Sequence, residues 1–331
     1  MQLDQLKRRD FITLLGGAAV AWPLAARSQQ AVVPVIGYLS IGSSESDATR
    51  LIGLRQGLNE IGYMEGRDLA IDYRWAENQP DRLPMLAAHL VQARVSAIIT
   101  PGLAPTLAAK AATTTIPILF AVGADPVQVG LVASLNRPGG NLTGLNQFNS
   151  ELGAKGLSLL HELVPNATTV AFLENPNNPI DRLIERDVQE AARVIGIQIQ
   201  TLKAGNVREI DAAFETLVQT RAGALLVGND VFLNGRIEQI IALAKRHAVP
   251  TMHSSREFAL AGGLISYGAS LTDTYRQVGV YTGRILKGMK PEDLPVIQST
   301  KLGLIINLNT AKTLGLAIPP RVLALADEVI E

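Results

Sequence analysis

The sequence lacks cysteine, an uninterrupted hydrophobic run of membrane-spanning length, and an excess of positive charge. Without cysteine there is neither a disulfide framework nor a thiolate metal site, so the hydrophobic core alone must hold the fold. The apolar stretch near the N-terminus, residues 11–26, is interrupted by Gly16, Gly17 and Pro23. It therefore falls short of the ~20 consecutive apolar residues that a membrane-spanning helix needs.

The N-terminal segment instead has the layout of an export signal. Residues 7–30 read KRRDFITLLGGAAVAWPLAARSQQ, in which a basic region and a short apolar core precede two small residues, Ala26 and Ser28. We expect cleavage near Ser28, removal of residues 1–28 and a soluble periplasmic product. No cysteine lies near the cut, which excludes a lipoprotein anchor.

The paired arginines of this segment resemble a twin-arginine signal. Arg8 and Arg9 are followed by an aspartate and a phenylalanine, as that pattern allows. Lys7 stands where serine or threonine is usual, and Ile12 and Thr13 replace the usual leucine and lysine. An ordinary secretory signal is therefore the open alternative, and both routes lead out of the cytoplasm.

The charge of the remaining chain argues against nucleic acid as a partner. Without residues 1–28 the chain has 303 residues, with 26 basic and 28 acidic side chains and a formal charge of −2. Nucleic-acid binders need a strongly positive face. The length predicts two domains.

The body of the sequence alternates short β-branched runs with amphipathic helical patterns. That alternation is typical of parallel sheets covered by helices on both faces. The strand order of the first half is repeated in the second, which predicts two similar, doubly wound, Rossmann-like lobes of the α/β class. The predicted strands are VVPVIGYLS, LAIDYRWA, VSAIIT and IPILFA in the first half, and TTVAFLEN, IGIQIQTL, AGALLVGND and VPTMHSS in the second.

The C-terminal region predicts one βα unit more than the second lobe requires. The strand 262–268 is followed by a helix that Ser270 and Asp273 cap, and then by a strand at 302–308. We expect the chain to return to the first lobe before it ends on the second, so that several crossovers form a hinge beside a cleft. The predicted first lobe is 32–145 with about 267–300, and the second is 146–266 with about 301–331.

The sequence contains none of the common catalytic or cofactor-binding motifs. No GxGxxG follows a strand, and there is no P-loop and no GxSxG elbow. The four histidines form no HxH or HExxH pair. We therefore predict no catalytic residue, no metal site and no cofactor.

The candidate ligand residues are polar or aromatic groups at the carboxyl ends of predicted strands, where open parallel sheets bind ligands. Several have structural alternatives: Asp125 before Pro126 is also a typical N-cap, Asn175 a turn residue, and Trp75 a packing residue. The candidates are Ser40, Trp75, Thr100, Gly102 and Asp125 from the first half, and Asn175, Asn229, Asp230 and Ser254 from the second.

Four stretches resemble a bacterial family of ABC-transporter substrate-binding proteins that includes members binding tryptophan and other aromatic amino acids. They are LAIDYRWAENQPDRLPMLAAHLV, FAVGADPVQVGLVASLNRPGGNLTGLN, LLHELVPNATTVAFLENPNNP and TYRQVGVYTGRILKGMKPEDLPV. The resemblance covers essentially all of the mature chain. It implies a type I periplasmic-binding-protein fold, in which two lobes joined by three crossovers close around a ligand.

The resemblance also assigns positions in the pocket. It implies that Thr100 and the turn after it bind a ligand carboxylate, with Asp125 beside them. It places the crossovers near 146–149, Tyr267 and 300–303, and it leaves the ligand open as an amino acid or another carboxylate, aromatic or not. The other pocket residues expected are Gln147 and Phe148 at the first crossover, Tyr267 at the second, and Asn229 with Asp230 opposite.

The function implied is that of a monomeric binding component of an ABC importer. It would capture a small organic molecule by hinge closure and deliver it to an inner-membrane permease. Two alternatives stay open: a ligand-sensing subunit for a membrane receptor, and an exported α/β enzyme.

Overall fold

The computed structural model describes residues 33–147, 149–178, 181–298 and 302–331. In these ranges, none of the helices is both long enough and apolar enough to span a membrane. The predicted export signal and Phe148 lie outside the described residues.

The first lobe is built on a six-stranded parallel sheet. Its strand order is β11-β5-β4-β3-β1-β2, and each neighbouring pair is parallel. The apolar residues of these strands point alternately to two helical layers, as a doubly wound sheet requires. The strands are β1 Val35–Ser40, β2 Ala70–Trp75, β3 Ile98–Pro101, β4 Ile118–Val122, β5 Leu142–Asn146 and β11 Ile297–Gln298.

The second lobe is built on a seven-stranded sheet of order β13-β12-β10-β9-β8-β6-β7. The strands β12 and β13 are parallel to each other and run antiparallel to the other five, which corrects the expectation of a purely parallel sheet. Leu302, the first residue of β12, pairs with Ala269, the last of β10, so β12 starts at the edge where β10 ends. The strands are β6 Thr169–Glu174, β7 Gln198–Lys203, β8 Ala224–Val227, β9 Thr251–His253, β10 Ile265–Ala269, β12 Leu302–Asn307 and β13 Glu328–Ile330.

Helices cover both faces of each sheet. The first sheet packs α1 and α10 on one face and α2 and α3 on the other. The second packs α4 and α5 on one face and α6 and α8 on the other. The helices are α1 Ala48–Glu60, α2 Leu83–Gln92, α3 Leu103–Ala112, α4 Asn149–Leu163, α5 Asp181–Ile195, α6 Val207–Thr220, α7 Val231–Asn234, α8 Ile237–Arg246, α9 Arg256–Leu260, α10 Leu271–Leu286, α11 Leu308–Thr313 and α12 Pro320–Leu323.

The chain passes between the sheets after β5, after β10 and after β11. The strand β10 pairs in the second sheet along its whole length, so the chain leaves that sheet after Ala269 and not before Tyr267. It then enters α10, whose first turn is capped by the Ser270 hydroxyl, which accepts a hydrogen bond from the Asp273 N–H at 3.2 Å. Because α10 packs on α1 of the first lobe, this helix ties the hinge to that lobe.

The contact between α1 and α10 depends on glycine. Gly53 and Gly57 on α1 face the backbone of α10 near Thr272 and Arg276. A Cβ built on Gly57 would lie 1.8 Å from the Arg276 carbonyl oxygen, so the two helix backbones touch with no side chain between them. The prediction of two doubly wound α/β lobes is confirmed by this architecture.

Candidate functional site

A cavity lies between the two lobes, at the carboxyl ends of their central strands. Both lobes contribute polar and apolar side chains to its wall. From the first lobe these are Ile41, Arg50, Pro101, Gly102, Leu103, Ala104, Ala121, Gly123, Gln147, Leu271 and Tyr275, and from the second Asn175, Asn177, Asn178, Asn229, Asp230 and Val231.

Arg50 supplies a buried positive charge to this cavity. It lies in the first turn of α1 and is only 4% exposed. Its Nη1 donates to the Ser46 carbonyl at 2.9 Å and to Asp47 Oδ1 at 3.3 Å. Burial by itself lowers the pKa of Arg50, but Tyr275 and Asp47 outweigh it and the pKa is raised, so the guanidinium stays charged.

Asp47 is the buried partner of Arg50 and is fully shielded from solvent. Burial raises the pKa of Asp47, while Arg50, Ser40 and Trp75 act in the opposite direction. Two predicted site residues, Ser40 and Trp75, therefore surround Asp47 instead of lining the cavity. Trp75 also stacks on Tyr73, with ring centroids 5.1 Å apart.

Asp230 places a buried carboxylate on the other side of the cavity. It is the N-cap of α7, where its Oδ1 accepts from the N–H groups of Phe232 at 2.8 Å and Leu233 at 3.2 Å. The same oxygen accepts from Asn175 Nδ2 at 2.9 Å. Burial raises the pKa of Asp230, and these hydrogen bonds and Arg50 oppose that rise. Within the described part of the chain all three bonds go to Oδ1, which leaves Oδ2 for a ligand.

Asn175 and Asn229 frame Asp230. Asn175 is buried and orients the carboxylate, so it is more than a turn residue. Asn229 lines the cavity, and its Oδ1 accepts a hydrogen bond from Asn234 Nδ2 at 3.1 Å. The structure thus brings these three predicted residues together.

The N-terminus of α3 faces the cavity from the first lobe. Gly102 is its N-cap, with φ +94°, and has no side chain to cap the helix. The first N–H groups of a helix have no intrahelical partner, so those of Leu103 and Ala104 are suited to an anion. Thr100 does not line the cavity; its hydroxyl bonds the Thr106 hydroxyl at 2.9 Å, and Thr106 donates to the Gly102 carbonyl at 2.6 Å. Thr100 therefore supports the turn that, by the family resemblance, was expected to bind the ligand carboxylate.

The remaining predicted residues divide between cavity and periphery. Gln147 is buried and lines the cavity at the first crossover. Asp125 is exposed, and its Oδ1 accepts from the N–H groups of two following residues in a turn that begins no helix, so it is neither in the cavity nor an α-helix N-cap. Ser254 lies near the hinge against the Gly268 backbone, Tyr267 is half-buried on β10, and neither lines the cavity.

Sequence reasoning missed Arg50 and Tyr275. Arg50 precedes Leu51 in a helical pattern, where an arginine suggests a solvent-facing position, and Tyr275 fits the apolar stripe of α10. The signal that could have found Arg50 is Asp47 three residues before it, at the end of the first strand-to-helix loop.

Comparisons with known proteins agree with this geometry. A sequence model described as "ABC transporter substrate binding protein" matches residues 36–330. A tyrosine-binding protein of Clostridioides difficile is 25% identical over 264 residues, 80% of this chain and 76% of the relative. The crystal structure of an ABC domain from Streptococcus pneumonia with L-Trp is 25% identical, with a TM-score of 0.80 over 90% of this chain and 99% of that one. A conserved domain protein from Vibrio cholerae is 27% identical, with a TM-score of 0.81 over the same shares.

Proposed function

The chain belongs to the family of ABC transporter substrate-binding proteins, and from that premise we propose that it captures an α-amino acid between its lobes and delivers it to a membrane permease. The family binds solutes and does not catalyse reactions, so the prediction that the chain is not an enzyme is confirmed. The fold is that of type I periplasmic binding proteins.

The observation that carries the proposal is the pairing of an open carboxylate oxygen with an open helix N-terminus across one cavity. Asp230 Oδ2 is a suitable acceptor for a ligand ammonium group, because the rest of that carboxylate is already hydrogen-bonded by the protein. Opposite it, the N–H groups of Leu103 and Ala104 suit a carboxylate. An α-amino acid carries both groups.

The apolar part of the wall supports a ligand with an apolar or aromatic side chain. Ile41, Leu103, Val231 and Leu271 line the cavity between the polar groups. The tyrosine-binding relative and the L-Trp complex make aromatic amino acids the first candidates. Small-molecule sites combine apolar walls with placed polar groups, and this cavity has both kinds of surface.

Closure of the lobes encloses such a ligand. The loop before α1 touches the second lobe, where a Cβ on Gly235 would lie only 2.6 Å from Ser46 Cβ. A ligand that bonds both lobes stabilises the closed state by its differential affinity for that state. We infer that a permease recognises this closed form, and that the ligand is delivered when the lobes open again.

Calorimetry on protein stripped of ligand by unfolding and refolding tests the proposal. L-tyrosine, L-tryptophan and the other common L-amino acids are titrated, and at least one is expected to bind. Sugars and carboxylates without an amino group serve as comparison ligands. Binding of a sugar with no response to any amino acid would overturn the assignment.

We further propose that the protein works in the periplasm after cleavage near Ser28. Proteins of this family typically act there or outside the cell, and the layout of residues 7–30 supports export. Cell fractionation with N-terminal sequencing should find a mature form that begins near Gln29. A cytoplasmic, full-length protein would contradict this localisation.

Replacing Arg8 and Arg9 by lysine should block export only if the twin-arginine route is used.

A further inference from the structure

We propose that Arg50 is the residue that selects ligands with a carboxylate, and that Asp47 positions it. This inference rests on the proposed function, the capture of an α-amino acid. It adds Arg50 to the site, a residue that neither the strand-end pattern nor the family resemblance predicted. It commits to an oxyanion, the ligand's α-carboxylate, as the partner of the Arg50 guanidinium.

The first argument is the number of hydrogen-bond donors that Arg50 has left. A guanidinium has five N–H groups. Arg50 Nη1 donates to Ser46 O and Asp47 Oδ1, and Tyr275 is a further side-chain hydrogen-bond partner of the guanidinium. Among the described residues these three partners take up three of the five N–H groups, so two remain for a ligand, and Arg50 lines the cavity. A buried charge with unused donors is costly unless something bonds them.

The second argument is that the contact with Asp47 is too weak to satisfy the buried guanidinium of Arg50 by itself. The two groups meet through one nitrogen at 3.3 Å, and not through the paired, parallel bonds that arginine and carboxylate form in strong ion pairs. Tyr275 packs beside the guanidinium, with its ring centroid 5.9 Å from the Arg50 Cζ. The guanidinium is held in place without being saturated.

The third argument is the order of charges across the cleft. Asp47, Arg50 and Asp230 carry negative, positive and negative charge, and Arg50 and Asp230 form no ion pair with each other among the described residues. A zwitterion placed between them, with its carboxylate toward Arg50, completes an alternating series. A ligand with only an ammonium group would bring no anion to the N–H groups of Arg50 that Asp47 does not bond.

Asp47 acts through Arg50 and is a positioning residue. It is completely buried, and Ser40, Trp75 and Tyr38 lie around its carboxylate. Its bond to Nη1 holds one edge of the guanidinium in place. The N-terminus of α3 lies on the same cavity wall and supplies further donors for a carboxylate, which has room for several.

Ligand pairs that differ only in the carboxylate test the inference. Wild type and Arg50→Gln are titrated with L-tyrosine and tyramine, and with L-tryptophan and tryptamine. We expect Arg50→Gln to weaken binding of the amino acid that wild type prefers by about 30-fold or more. Binding of the matching amine is expected to change by less than about 3-fold. Equal weakening of both, or none of either, would refute the role of Arg50.

Two further variants keep the test valid if removal of Arg50 disturbs the fold. Asp47→Asn retains the arginine charge but not its anchor, and should reduce the preference for the amino acid over the amine. Combining Asp47→Asn with Arg50→Met removes both buried charges, and should abolish that preference at a melting temperature close to wild type. An unchanged preference in a folded double variant refutes the inference.

Failure of the proposed function would look different. Wild type would then bind none of the amino acids in the wider calorimetric panel. If wild type binds an amino acid and the double variant keeps its preference over the matching amine, the function stands and the role of Arg50 falls.

Discussion

Asn78 Nδ2 donates a hydrogen bond to the Gly205 carbonyl at 2.5 Å, and this bond joins the two lobes across the mouth of the cleft. Asn78 follows the first lobe's edge strand, and Gly205 lies between β7 and α6 of the second lobe. Both Glu77 and Asn78 have left-handed backbone, with φ of 53° and 57°. Such residues cost about 1–3 kcal/mol each and persist where the surroundings fix them. Here the N–H of Asn78 donates to Ile41 O at 2.7 Å, which ties this turn to the cavity wall.

We predict that Asn78→Gly shifts the protein toward the open form. Glycine adopts the left-handed backbone easily, so the variant removes the side-chain hydrogen bond to the Gly205 carbonyl without adding backbone strain. One hydrogen bond is worth about 0.5–1.5 kcal/mol, which corresponds to a roughly 2- to 10-fold decrease in the ratio of closed to open protein. The chain has no cysteine, so fluorophores can be attached at Ile52→Cys and Val194→Cys, which are 61% and 80% exposed and lie on different lobes.

Glu77→Gly is the matched control for this measurement. It relaxes the same turn but leaves the Asn78 amide in place, so the distance between the fluorophores should stay close to wild type. If both glycine variants open the lobes equally, backbone strain and not the hydrogen bond controls closure, and the prediction fails.

Asp230→Asn should weaken ligand binding while stabilising the ligand-free protein at neutral pH. Asparagine is as good an N-cap as aspartate, and its side-chain oxygen can keep the bonds that Oδ1 accepts. The variant removes a buried charge whose raised pKa marks it as destabilised by burial. Urea unfolding without ligand should show a higher free energy of unfolding. Affinity for the bound amino acid should fall about 10-fold or more, as for a lost bond to a charged group. Lower stability together with unchanged affinity would remove Asp230 from the site.

The affinity of the wild type should fall on acidification at a higher pH than an ordinary aspartate would cause. The pKa of Asp230 in the folded protein is raised above its usual ~3.9, so the carboxylate takes up a proton before other aspartates do as the pH is lowered. Neutral Asp230 cannot attract an ammonium group. The same raised pKa makes its contribution to ligand-free stability largest below the unfolded value and lost as the pH rises through the folded value. Calorimetry from pH 7 downward should show a loss of ligand affinity in wild type and a nearly constant affinity in Asp230→Asn. If affinity falls in parallel in both proteins, Asp230 is excluded as the titrating group.

The sequence predicted the two lobes well and the cavity only in part. Strands such as VIGYLS and AGALLVG can be recognised in the sequence because a buried parallel strand needs continuous apolar residues. Asn229 and Asp230 were found because strand ends meet at one edge of a sheet. Arg50 could not be found in this way, since it reaches the cavity from a helix whose packing on α10 the local pattern does not reveal. Asp125 was misplaced because a turn and a ligand site use the same residue types.

The packing of α1 on α10 gives the last prediction, which concerns the hinge. Gly57→Ala would place a methyl group 1.8 Å from the Arg276 carbonyl oxygen, a backbone atom that can move only if the helix moves. Overpacking of this kind costs roughly 1–3 kcal/mol. Gly303→Ala is the control, because a Cβ at that position on β12 meets nothing within 4 Å and its φ lies outside the left-handed region. Urea unfolding should therefore show a clear loss of stability for the first variant and little for the second. Because α10 begins directly after a crossover, Gly57→Ala should also change the distance between the Ile52→Cys and Val194→Cys labels, whereas a stability loss without any such change would confine its effect to the core of the first lobe.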